Sequence, residues 1–533
     1  MNARIGRCRG ALFGVLPLAV LAASAHAQVA GYDVIDLGVL PASTDPKSGA
    51  WAINDRHEIV GWATDASATS HAAIWLYCEN YGLAAGVWHD LTILGGESDQ
   101  GEAFDINMSG LIVGRQMVST SSGVFRAFIW DVASSPFATT ELGTFAGGAT
   151  TSGFATAIND SDPAIVVGTA QAPGGCFGTQ RFEAFSYKYG DSTAALTLLG
   201  SNSGDRYSAG SGVNNALPPQ ISGRSTDEHC QNSICRDDHD AVVWELAPST
   251  LLTTLLDNGE EFGAQGWAIN DAGHIVGFAH SATASCEWQA AYWETAASTP
   301  LNIGVIGLPA SAESRAFRIS ESGPMGEVTV VGDDHSDLHA YRWYRDDAGT
   351  WSGADLNDLI SPLCDCTLTE AHDVSSAGWI VGDGFVNVPG FGARTHGFLL
   401  KPITCPGDID GSCSVSAGDL GILLGVWAWG SASSACSADI NRDGTIDGGD
   451  LGLLLDAWGS TCECWECSSA HRGSAESESS SEADTETERL LFEGLSILGF
   501  DSLDEFNAWR RSRSDTDALQ TLNWLYVYLT ARN

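Results

Sequence analysis

The sequence predicts a mainly β fold in which seven copies of one four-stranded unit follow each other along the chain. A hydrophobic-hydrophobic-Gly triplet recurs at intervals of 50 to 55 residues, with the degenerate Ile221-Ser222-Gly223 as the fourth copy. The triplets end at Gly61, Gly114, Gly168, Gly223, Gly277, Gly332 and Gly382. An Ile or Val followed by Asn or Ser precedes each triplet, and in six copies a small residue three positions before an aromatic follows it. A fixed interval of this length is the signature of a repeat architecture.

Each piece of the unit predicts one short strand. The first strand ends at the Ile-Asn pair, where sequences such as Asn54-Asp55 favour a turn. The Ile-Val-Gly run is the second strand, because it is too short and too β-branched for a helix. The Ala-x-x-Trp piece is the third strand, and an Asp-Leu-Gly type segment such as 36–38 is the fourth. We interpret the glycine as permitting a tight turn and the tryptophan as filling space between sheets.

The order of these pieces predicts a closed ring. The chain opens on a lone fourth strand at 32–40, and the seventh copy ends on its third strand at 396–400. Joining the two would remove free sheet edges, which otherwise invite aggregation. Four-stranded units of this length are typical of propeller blades. We therefore predict a seven-bladed β-propeller over residues 28–402, with a linear β-solenoid as the alternative.

The repeats resemble those of the extracellular HAF-type repeat proteins. The resemblance lies in the Ala-x-Ile-Asn, Ile-Val-Gly and His-Ala-x-x-Trp pieces, and it extends over the whole repeat region. Copies one and five match well, at His71-Ala72 and at 267–270. The resemblance implies an extracellular repeat protein with little assigned chemistry, so we expect the recurrent residues to be structural.

Residues 403–467 predict a small α-helical module with two EF-hand-like calcium loops. Two segments beginning 31 residues apart carry oxygen side chains at loop positions 1, 3, 5, 9 and 12, the positions from which calcium takes its ligands. Position 7 contributes a backbone carbonyl. The predicted ligands are Asp408, Asp410, Ser412, Ser414, Ser416 and Asp419 in the first loop and Asp439, Asn441, Asp443, Thr445, Asp447 and Asp450 in the second. The apolar spacing after each loop predicts one helix.

The two loops differ at position 6, where the chain turns sharply. The second loop has Gly444 there, whereas the first has Cys413, which must tolerate the turn. We expect two Ca²⁺ ions, the second more securely bound. Position 8 is apolar in both loops, and Val415 and Ile446 are predicted to pair the loops with each other.

A duplicated loop-helix without entering helices resembles a type I dockerin. The resemblance implies that calcium folds the module and that one helix docks a cohesin on a partner. At positions 10 and 11, where that family often has Ser-Thr, this sequence has Ala417-Gly418 and Gly448-Gly449. We expect a cohesin-like or other extracellular protein partner. The alternative is a purely structural clasp that holds the C-terminal region.

The two ends of the chain carry processing and linker signals. Basic residues, an apolar run and an Ala-x-Ala end predict a cleaved export signal at 1–27, so we expect a secreted protein, extracellular or periplasmic. Residues 468–487 are rich in Ser and Glu, and we expect them to be disordered. Residues 488–533 regain helical character. In an exported chain, neighbouring cysteines such as Cys364 and Cys366 predict local disulfides.

Composition and motifs bound the function. The chain has 67 acidic and 25 basic residues, a net charge of −42, which argues against a nucleic-acid partner. No segment after the signal predicts a membrane span. No nucleophile elbow, His-Glu-x-x-His or phosphate loop is present. We therefore predict a non-catalytic binding or assembly protein, with carbohydrate as a further candidate ligand. The alternative is a propeller hydrolase or lyase acting on polysaccharide, its site built in the central funnel from one residue per blade.

Overall fold

The computed structural model describes most of the repeat region and the segment that follows it. The described residues are 31–94, 100–119, 123–145, 151–173, 181–191, 195–202, 207–226, 239–246, 251–254, 263–280, 288–309, 311–323, 325–429, 435–461 and nine scattered residues between 489 and 525. The predicted export signal, the segment 468–487 and most of 488–533 lie outside these residues.

Seven four-stranded antiparallel sheets confirm the seven-bladed β-propeller. The first strands are β2 (Ser48–Ile53), β6 (Gly101–Ile106), β10 (Gly153–Ile158), β14 (Tyr207–Val213), β18 (Ala264–Ile269), β22 (Ser314–Ile319) and β26 (Cys366–Val374). The second strands are β3 (Glu58–Thr64), β7 (Leu111–Ser119), β11 (Ile165–Ala172), β15 (Gln220–Thr226), β19 (Ile275–His280), β23 (Val328–Asp334) and β27 (Ile380–Val388). First strands of neighbouring blades contact one another around the ring, so they surround a central channel.

The two outer strands complete each blade. The third strands are β4 (Ser70–Leu76), β8 (Val124–Asp131), β12 (Arg181–Lys188), β16 (His239–Glu245), β20 (Trp288–Trp293), β24 (His339–Arg345) and β28 (Gly392–Pro402). The fourth strands are β5 (Trp88–Asp90), β9 (Ala138–Leu142), β13 (Thr197–Leu198), β17 (Leu251–Thr254), β21 (Leu301–Asn302), β25 (Trp351–Asp355) and β1 (Tyr32–Asp36). A short helix, α1 (Leu91–Leu94), follows β5, and 3₁₀ turns at Leu356–Leu359 and Pro362–Cys364 precede β26.

The ring closes as the order of pieces predicts. Strand β1 pairs antiparallel with β28, with Tyr32 opposite Pro402 and Asp36 opposite Phe398. The first strand of the chain is therefore the outer strand of the last blade. Because this pairing joins the two ends of the repeat region, the linear solenoid is excluded.

The triplet glycines do not lie at turns, and that interpretation is wrong. Each sits inside a second strand, opposite a point where the register of the first strand shifts, as between Ala50 and Ala52 opposite Gly61. A Cβ on Gly61 would lie 1.9 Å from the Gly49 carbonyl oxygen, and one on Gly277 would lie 1.8 Å from that of Gln265. The seven glycines are required because a bulge in the neighbouring strand brings its backbone too close for any side chain.

Aromatic residues of the third strands fill the spaces between blades. Trp130 is fully buried among residues of blades one and two, and Trp343 among residues of blades five and six. Burial of large aromatic side chains is a major favourable term in such packing. The blades therefore hold together side by side through apolar cores and not through shared strands.

Beyond the propeller, three helices lie in the module: α2 (Ala417–Trp429), α3 (Ala435–Ala438) and α4 (Gly448–Asp456). Their leucines share one core with Val415. Helix α4 ends before Trp458, which lies past its last turn. No helix among the described residues has the length and apolar character needed to cross a membrane.

Three further expectations meet the structure here. Val415 does not pair with Ile446; its backbone bonds with Gly459 and Ser460. Cys364 does not pair with Cys366, whose thiol is free, but with Cys436, 72 residues away. Of the described apolar residues of the C-terminal segment, Leu491, Leu495, Phe506 and Leu525 are buried in the core of the module, and Phe500 packs against it.

Candidate functional site

The first predicted calcium loop brings three of its ligands together. Asp408, Asp410 and Asp419 each offer a carboxylate oxygen, and these oxygens lie within 4.8 Å of one another. Among the described residues, no other group of three His, Cys or acidic side chains gathers in this way. Burial raises the pKa of Asp408 and Asp419. The remaining predicted ligands are serines, of which Ser412 Oγ donates to the Ser414 carbonyl at 3.1 Å and Ser416 Oγ accepts from Gly418 N at 3.2 Å.

The second loop is organised by hydrogen bonds within itself. The Asn441 amide donates to Asp443, which also accepts from the Thr445 hydroxyl at 2.6 Å. Asp447 caps α4 by accepting from Gly449 N at 2.7 Å. Asp443 and Asp447 are exposed, and within the described part of the chain they do not join Asp439 and Asp450 in one cluster.

Positions 1 and 6 behave alike in the two loops. Cys413 N donates to Asp408 Oδ2 and Gly444 N donates to Asp439 Oδ2, each at 3.1 Å. Both donors are left-handed, with φ of 69° at Cys413 and 83° at Gly444. Cys413 therefore accepts the backbone strain that the sequence anticipates. Asp439 is 2 % exposed, and its other oxygen, Oδ1, makes no hydrogen bond within the described part of the chain.

The second loop rests on the propeller. The Ser361 hydroxyl donates to Asp439 Oδ2 at 2.5 Å. The disulfide between Cys364 and Cys436 joins the same 3₁₀ turn of blade seven to α3. The first predicted ligand of this loop, Asp439, thus accepts a hydrogen bond from a residue that lies outside the module.

A second candidate site, which sequence reasoning missed, lies in the central channel. In every blade the register shift of the first strand leaves one extra residue, and all seven extra residues line one cavity of about 400 Å³. We call this cavity the aromatic bowl. Its wall consists of Trp51, Phe104, Thr156, Ser211, Trp267, Phe317 and His372.

Five consecutive members of this wall form a continuous aromatic surface. Ring centroids are 4.9 Å apart for Trp267 and Phe317, 5.6 Å for Phe317 and His372, 4.3 Å for His372 and Trp51, and 6.0 Å for Trp51 and Phe104. All except His372 are half-buried, so part of each ring faces the cavity. Blades three and four contribute only the hydroxyl residues Thr156 and Ser211.

Charged groups stand beside the aromatic surface. Arg315 pairs with the buried Asp333 and donates to Glu370 Oε1 at 3.0 Å. His372 Nε2 lies 3.6 Å from Glu370 and 3.5 Å from Asp383. Burial alone would lower the pKa of His372, but Asp383 and the neighbouring carboxylates raise it above its usual value.

An arginine with two carboxylates closes the floor of the bowl. Arg318, from blade six, lies 3.8 Å from Asp105 of blade two and 3.9 Å from Asp373 of blade seven. We call these three residues the plug. Each carboxylate also accepts a backbone N–H of the next blade, from Ile158 for Asp105 and from Ile53 for Asp373, both at 2.9 Å. Burial raises the pKa of Asp373 to about 6 and also raises that of Asp105.

The other end of the channel is polar. Each Asn of the Ile-Asn pairs accepts backbone N–H groups of its own turn and donates from Nδ2 to the next blade, as Asn107 does to the Asn159 carbonyl at 3.0 Å. The residue directly after each of these Asn or Ser positions lines the same end of the channel, which we call the acidic mouth: Asp55, Met108, Asp160, Asn215, Asp271, Glu321 and Ser376. Burial and nearby carboxylates raise the pKa of Glu321 to about 7.

A groove between blades three and four leads away from the bowl. It encloses about 570 Å³ and shares Thr156 and Ser211 with the bowl. Phe154 and Phe182 stack along it with ring centroids 5.9 Å apart, and Arg224 and His239 also line it. The gap in the aromatic wall is therefore the place where the two cavities adjoin.

The histidines at blade ends have structural partners. His71 bonds with Asp90 and His339 with Asp355, both at 2.6 Å, and His396 bonds with Asp36 at 2.8 Å. In each case the histidine of a third strand meets the aspartate of the adjacent fourth strand. Repeat geometry thus accounts for the position of these three histidines.

The bowl leaves one signal in the sequence. Its residues stand two positions before the Ile or Val of each pair, and they vary far more between copies than the pair, which is always Ile or Val followed by Asn or Ser. A repeated glycine opposite a varying residue is the pattern that a bulge produces. Arg318, Asp105 and Asp373 occupy the next position, where most other copies have Ala or Gly.

Comparison with known proteins adds similarity of fold. No protein-family model matches the chain, and no curated protein matches it. Among solved structures, the β-propeller domain of the Trilobed protease from Pyrococcus furiosus, described as having an open velcro topology, aligns with a TM-score of 0.39 and 8 % identity over 68 % of this chain and 97 % of that one. A mutant of AofleA from Arthrobotrys oligospora aligns with a TM-score of 0.31 and 12 % identity over 61 % and 89 %. The six-bladed Aleuria aurantia lectin aligns with a TM-score of 0.29 and 12 % identity over 58 % and 94 %.

Proposed function

We propose that this protein is a secreted, non-catalytic binding protein in which a propeller of HAF-type repeats presents a ligand site and a dockerin-like, calcium-dependent module attaches it to an extracellular partner. The observation that carries the calcium proposal is the buried Asp439 carboxylate, whose Oδ1 receives no hydrogen bond from any residue that the structure describes. A buried carboxylate is costly unless a cation or a hydrogen bond compensates it.

The chemistry of both loops suits a hard cation with oxygen ligands. Asp408, Asp410 and Asp419 would hold it in the first loop together with the oxygens of Ser412, Ser414 and Ser416. Asp439, Asn441, Asp443, Thr445, Asp447 and Asp450 would hold it in the second. Carboxylates that are gathered in one loop repel each other. Bound calcium would offset this repulsion and so stabilise the folded loops.

The partner surface of this proposal is the side of the first loop. The second loop is engaged by Ser361 and by the Cys364–Cys436 disulfide, whereas Asp410 and Ser412 are exposed. Position 10 is buried in both copies, at Ala417 and Gly448. A partner would therefore contact the backbone and the helix surface at these positions, where no Ser-Thr pair is present.

Calorimetric titration of the EDTA-stripped full chain with calcium tests the metal. We expect two ions per chain, one lost in Asp408→Asn and the more tightly bound one lost in Asp439→Asn. Asp337→Asn, which neutralises an exposed propeller carboxylate, is the matched control and should leave both. A chain that takes up no calcium, or variants that all bind two ions, would contradict the proposal.

Affinity capture from the native secretome tests the partner. The intact chain should retain a defined protein in calcium and release it in EDTA, and Asp408→Asn should weaken this retention. Identical captured proteins under both conditions would leave the module without an attachment role.

A second candidate is a polysaccharide hydrolase or lyase. It is favoured by Asp373, whose pKa is raised to about 6, in the range useful for proton transfer, and by Glu370 in the bowl. Against it, Asp105 and Asp373 each accept a backbone N–H of the next blade, which gives them a structural role. Release of cleaved products from a glycan panel would favour the enzyme, and intact recovery of bound glycans would favour binding.

A further inference from the structure

We infer that the aromatic bowl binds the terminal unit of a neutral oligosaccharide whose following units lie along the groove between blades three and four. This rests on the proposed binding function and names the ligand class of the propeller. It starts from the bowl's asymmetry: seven equivalent backbone positions carry five rings and two hydroxyl residues.

The aromatic wall selects a ligand with an apolar face. Trp51, Phe104, Trp267 and Phe317 are each half-buried and offer ring surface to a cavity of about 400 Å³, within the ~300–1,000 Å³ typical of small-molecule sites. A pyranose ring has an apolar face formed by its C–H groups and hydroxyls around its edge. The aromatic wall would contact the apolar face of the sugar, and the polar floor would bind its hydroxyls.

Unused polar groups at the bowl provide the hydrogen bonds. The Arg318 guanidinium is held only by the ion pairs at 3.8 and 3.9 Å and makes no hydrogen bond with the described residues. His372 is 5 % exposed, and its Nε2 lies 3.5 Å from Asp383 and 3.6 Å from Glu370 without a well-formed hydrogen bond to either. Buried donors and acceptors of this kind are usually paired, so a hydroxylated ligand would complete both groups.

The charge around the bowl favours a neutral ligand. Arg315 and Arg318 face the carboxylates Glu370, Asp333, Asp105 and Asp373, which stand within about 4 Å of them. An acidic sugar would add a negative charge to an already acidic group in a chain of net charge −42, where like charges repel. A cationic ligand would compete with arginines that already hold these carboxylates. Vicinal hydroxyls can donate to the carboxylates and accept from the guanidinium without adding charge.

The shape extends the ligand beyond one sugar. Arg318 lines the bowl and Asp105 lines the acidic mouth, so the plug lies between the two cavities and the chain end would enter from the opposite side of the bowl. The wall is interrupted only at Thr156 and Ser211, and beyond them the groove of about 570 Å³ carries the stacked pair Phe154 and Phe182. Further sugar units leaving the bowl would meet a second aromatic surface.

The test is binding of the intact, calcium-loaded chain to an array of neutral, acidic and amino oligosaccharides, with mass spectrometry of the recovered glycans. We expect neutral glycans to bind and to be recovered intact. Trp267→Ala should weaken binding by about tenfold or more, as expected for loss of one stacking ring. Trp351→Ala, on an outer strand, is the matched control and should change affinity by less than about twofold.

Ser211→Phe provides a second, non-destructive variant. Its hydroxyl makes no hydrogen bond with the described residues, and a phenyl ring there would close the passage to the groove. Affinity for tri- and tetrasaccharides should fall about tenfold, a larger loss than for the monosaccharide, which does not reach the groove. Circular dichroism confirms that each variant is folded before its affinity is interpreted.

Each outcome is decisive. Preferential binding of acidic or amino glycans, or neutral binding that neither variant weakens, would overturn the inference. Neutral glycans that are bound and cleaved would support the ligand class and refute the non-catalytic function. Calcium-dependent capture of a protein partner together with no glycan binding would refute the inference and leave the attachment function standing.

Discussion

The two ends of the central channel use the same backbone to different effect. At the acidic mouth, asparagine occupies the turn position in five of the seven blades and serine in two, from Asn54 to Ser375. At the aromatic bowl, the equivalent positions hold tryptophan, phenylalanine, threonine, serine or histidine. Each end takes one side chain from every blade, so the difference lies in what the backbone demands of that side chain.

At the mouth the backbone demands much. Asn54 Oδ1 accepts from the N–H groups of Arg56 and Glu58, while its Nδ2 donates to the Asn107 carbonyl of the next blade. Few side chains carry an acceptor and a donor at this reach. At the bowl the bulge ejects the side chain into the channel, where no repeated bond constrains it. Divergence among copies at a geometrically fixed position is therefore where a symmetric scaffold acquires a specific site.

The largest expected effect concerns the plug that separates the two ends. Arg318→Met would leave Asp105 and Asp373 as buried carboxylates without a counter-charge. Breaking a fully buried ion pair by removing one partner costs about 3–5 kcal/mol; because these side chains are 13–19 % exposed, we expect the free energy of unfolding to fall by less than that amount at neutral pH. Denaturation in saturating calcium, followed by tryptophan fluorescence, measures it.

The pH dependence of this loss identifies its cause. Burial already raises the pKa of both carboxyls, and the variant should raise each pKa further. A raised carboxyl pKa means that the folded state holds more protons than the unfolded state, so stability rises as the pH falls. The variant should therefore recover much of its loss between pH 7 and pH 5. Arg318→Lys is the matched control, and equal stability of all three proteins would mean that the plug is not an electrostatic unit.

A smaller effect is expected at the ring of asparagines. Asn159→Ala removes the donor to the Asn214 carbonyl and the acceptor for Ile165 N, at 2.9 and 2.8 Å. Leaving buried backbone groups unsatisfied costs about 1–3 kcal/mol. Asn215→Ala, at the exposed neighbouring position, also removes two interblade bonds of the side chain, one accepted from Asp160 N and one donated to Asp271, but water can replace them. The midpoint of thermal unfolding should be clearly lower for Asn159→Ala than for Asn215→Ala. The opposite order would show that the residues of the acidic mouth contribute more to the stability between blades than the buried asparagines.

The sequence was informative where the repeated residue has a local cause. Every first strand ends at the predicted Ile or Val, because the turn that follows is closed by the asparagine or serine side chain itself. The position of the bowl could not be predicted from the sequence. The side chain at a bulge points into the channel because of how the first strand pairs with the second, and the sequence of one repeat does not show this pairing. Likewise, Cys364 lies two residues from Cys366 in the chain, but the fold brings it to Cys436. Long-range proximity decides both cases.

The smallest expected effect belongs to the acidic mouth. Burial and the carboxylates of Asp271 and Asp55 raise the pKa of Glu321 to about 7, above its usual value near 4.5. The folded state therefore binds this proton more tightly than the unfolded state, and its contribution to stability declines as the pH rises from about 4.5 through 7. Glu321→Gln removes the charge and keeps the acceptor for Asp271 N. Because this side chain is partly exposed to solvent, we expect the free energy of unfolding to rise by less than about 1 kcal/mol at pH 8 and not at all at pH 4, measured by chemical denaturation.

A matched substitution at the bowl, Glu370→Gln, should instead lower the free energy of unfolding at pH 8, since Glu370 is paired with Arg315. Opposite signs at the two ends would mean that the mouth tolerates its carboxylates and the bowl depends on them; equal signs would remove that distinction.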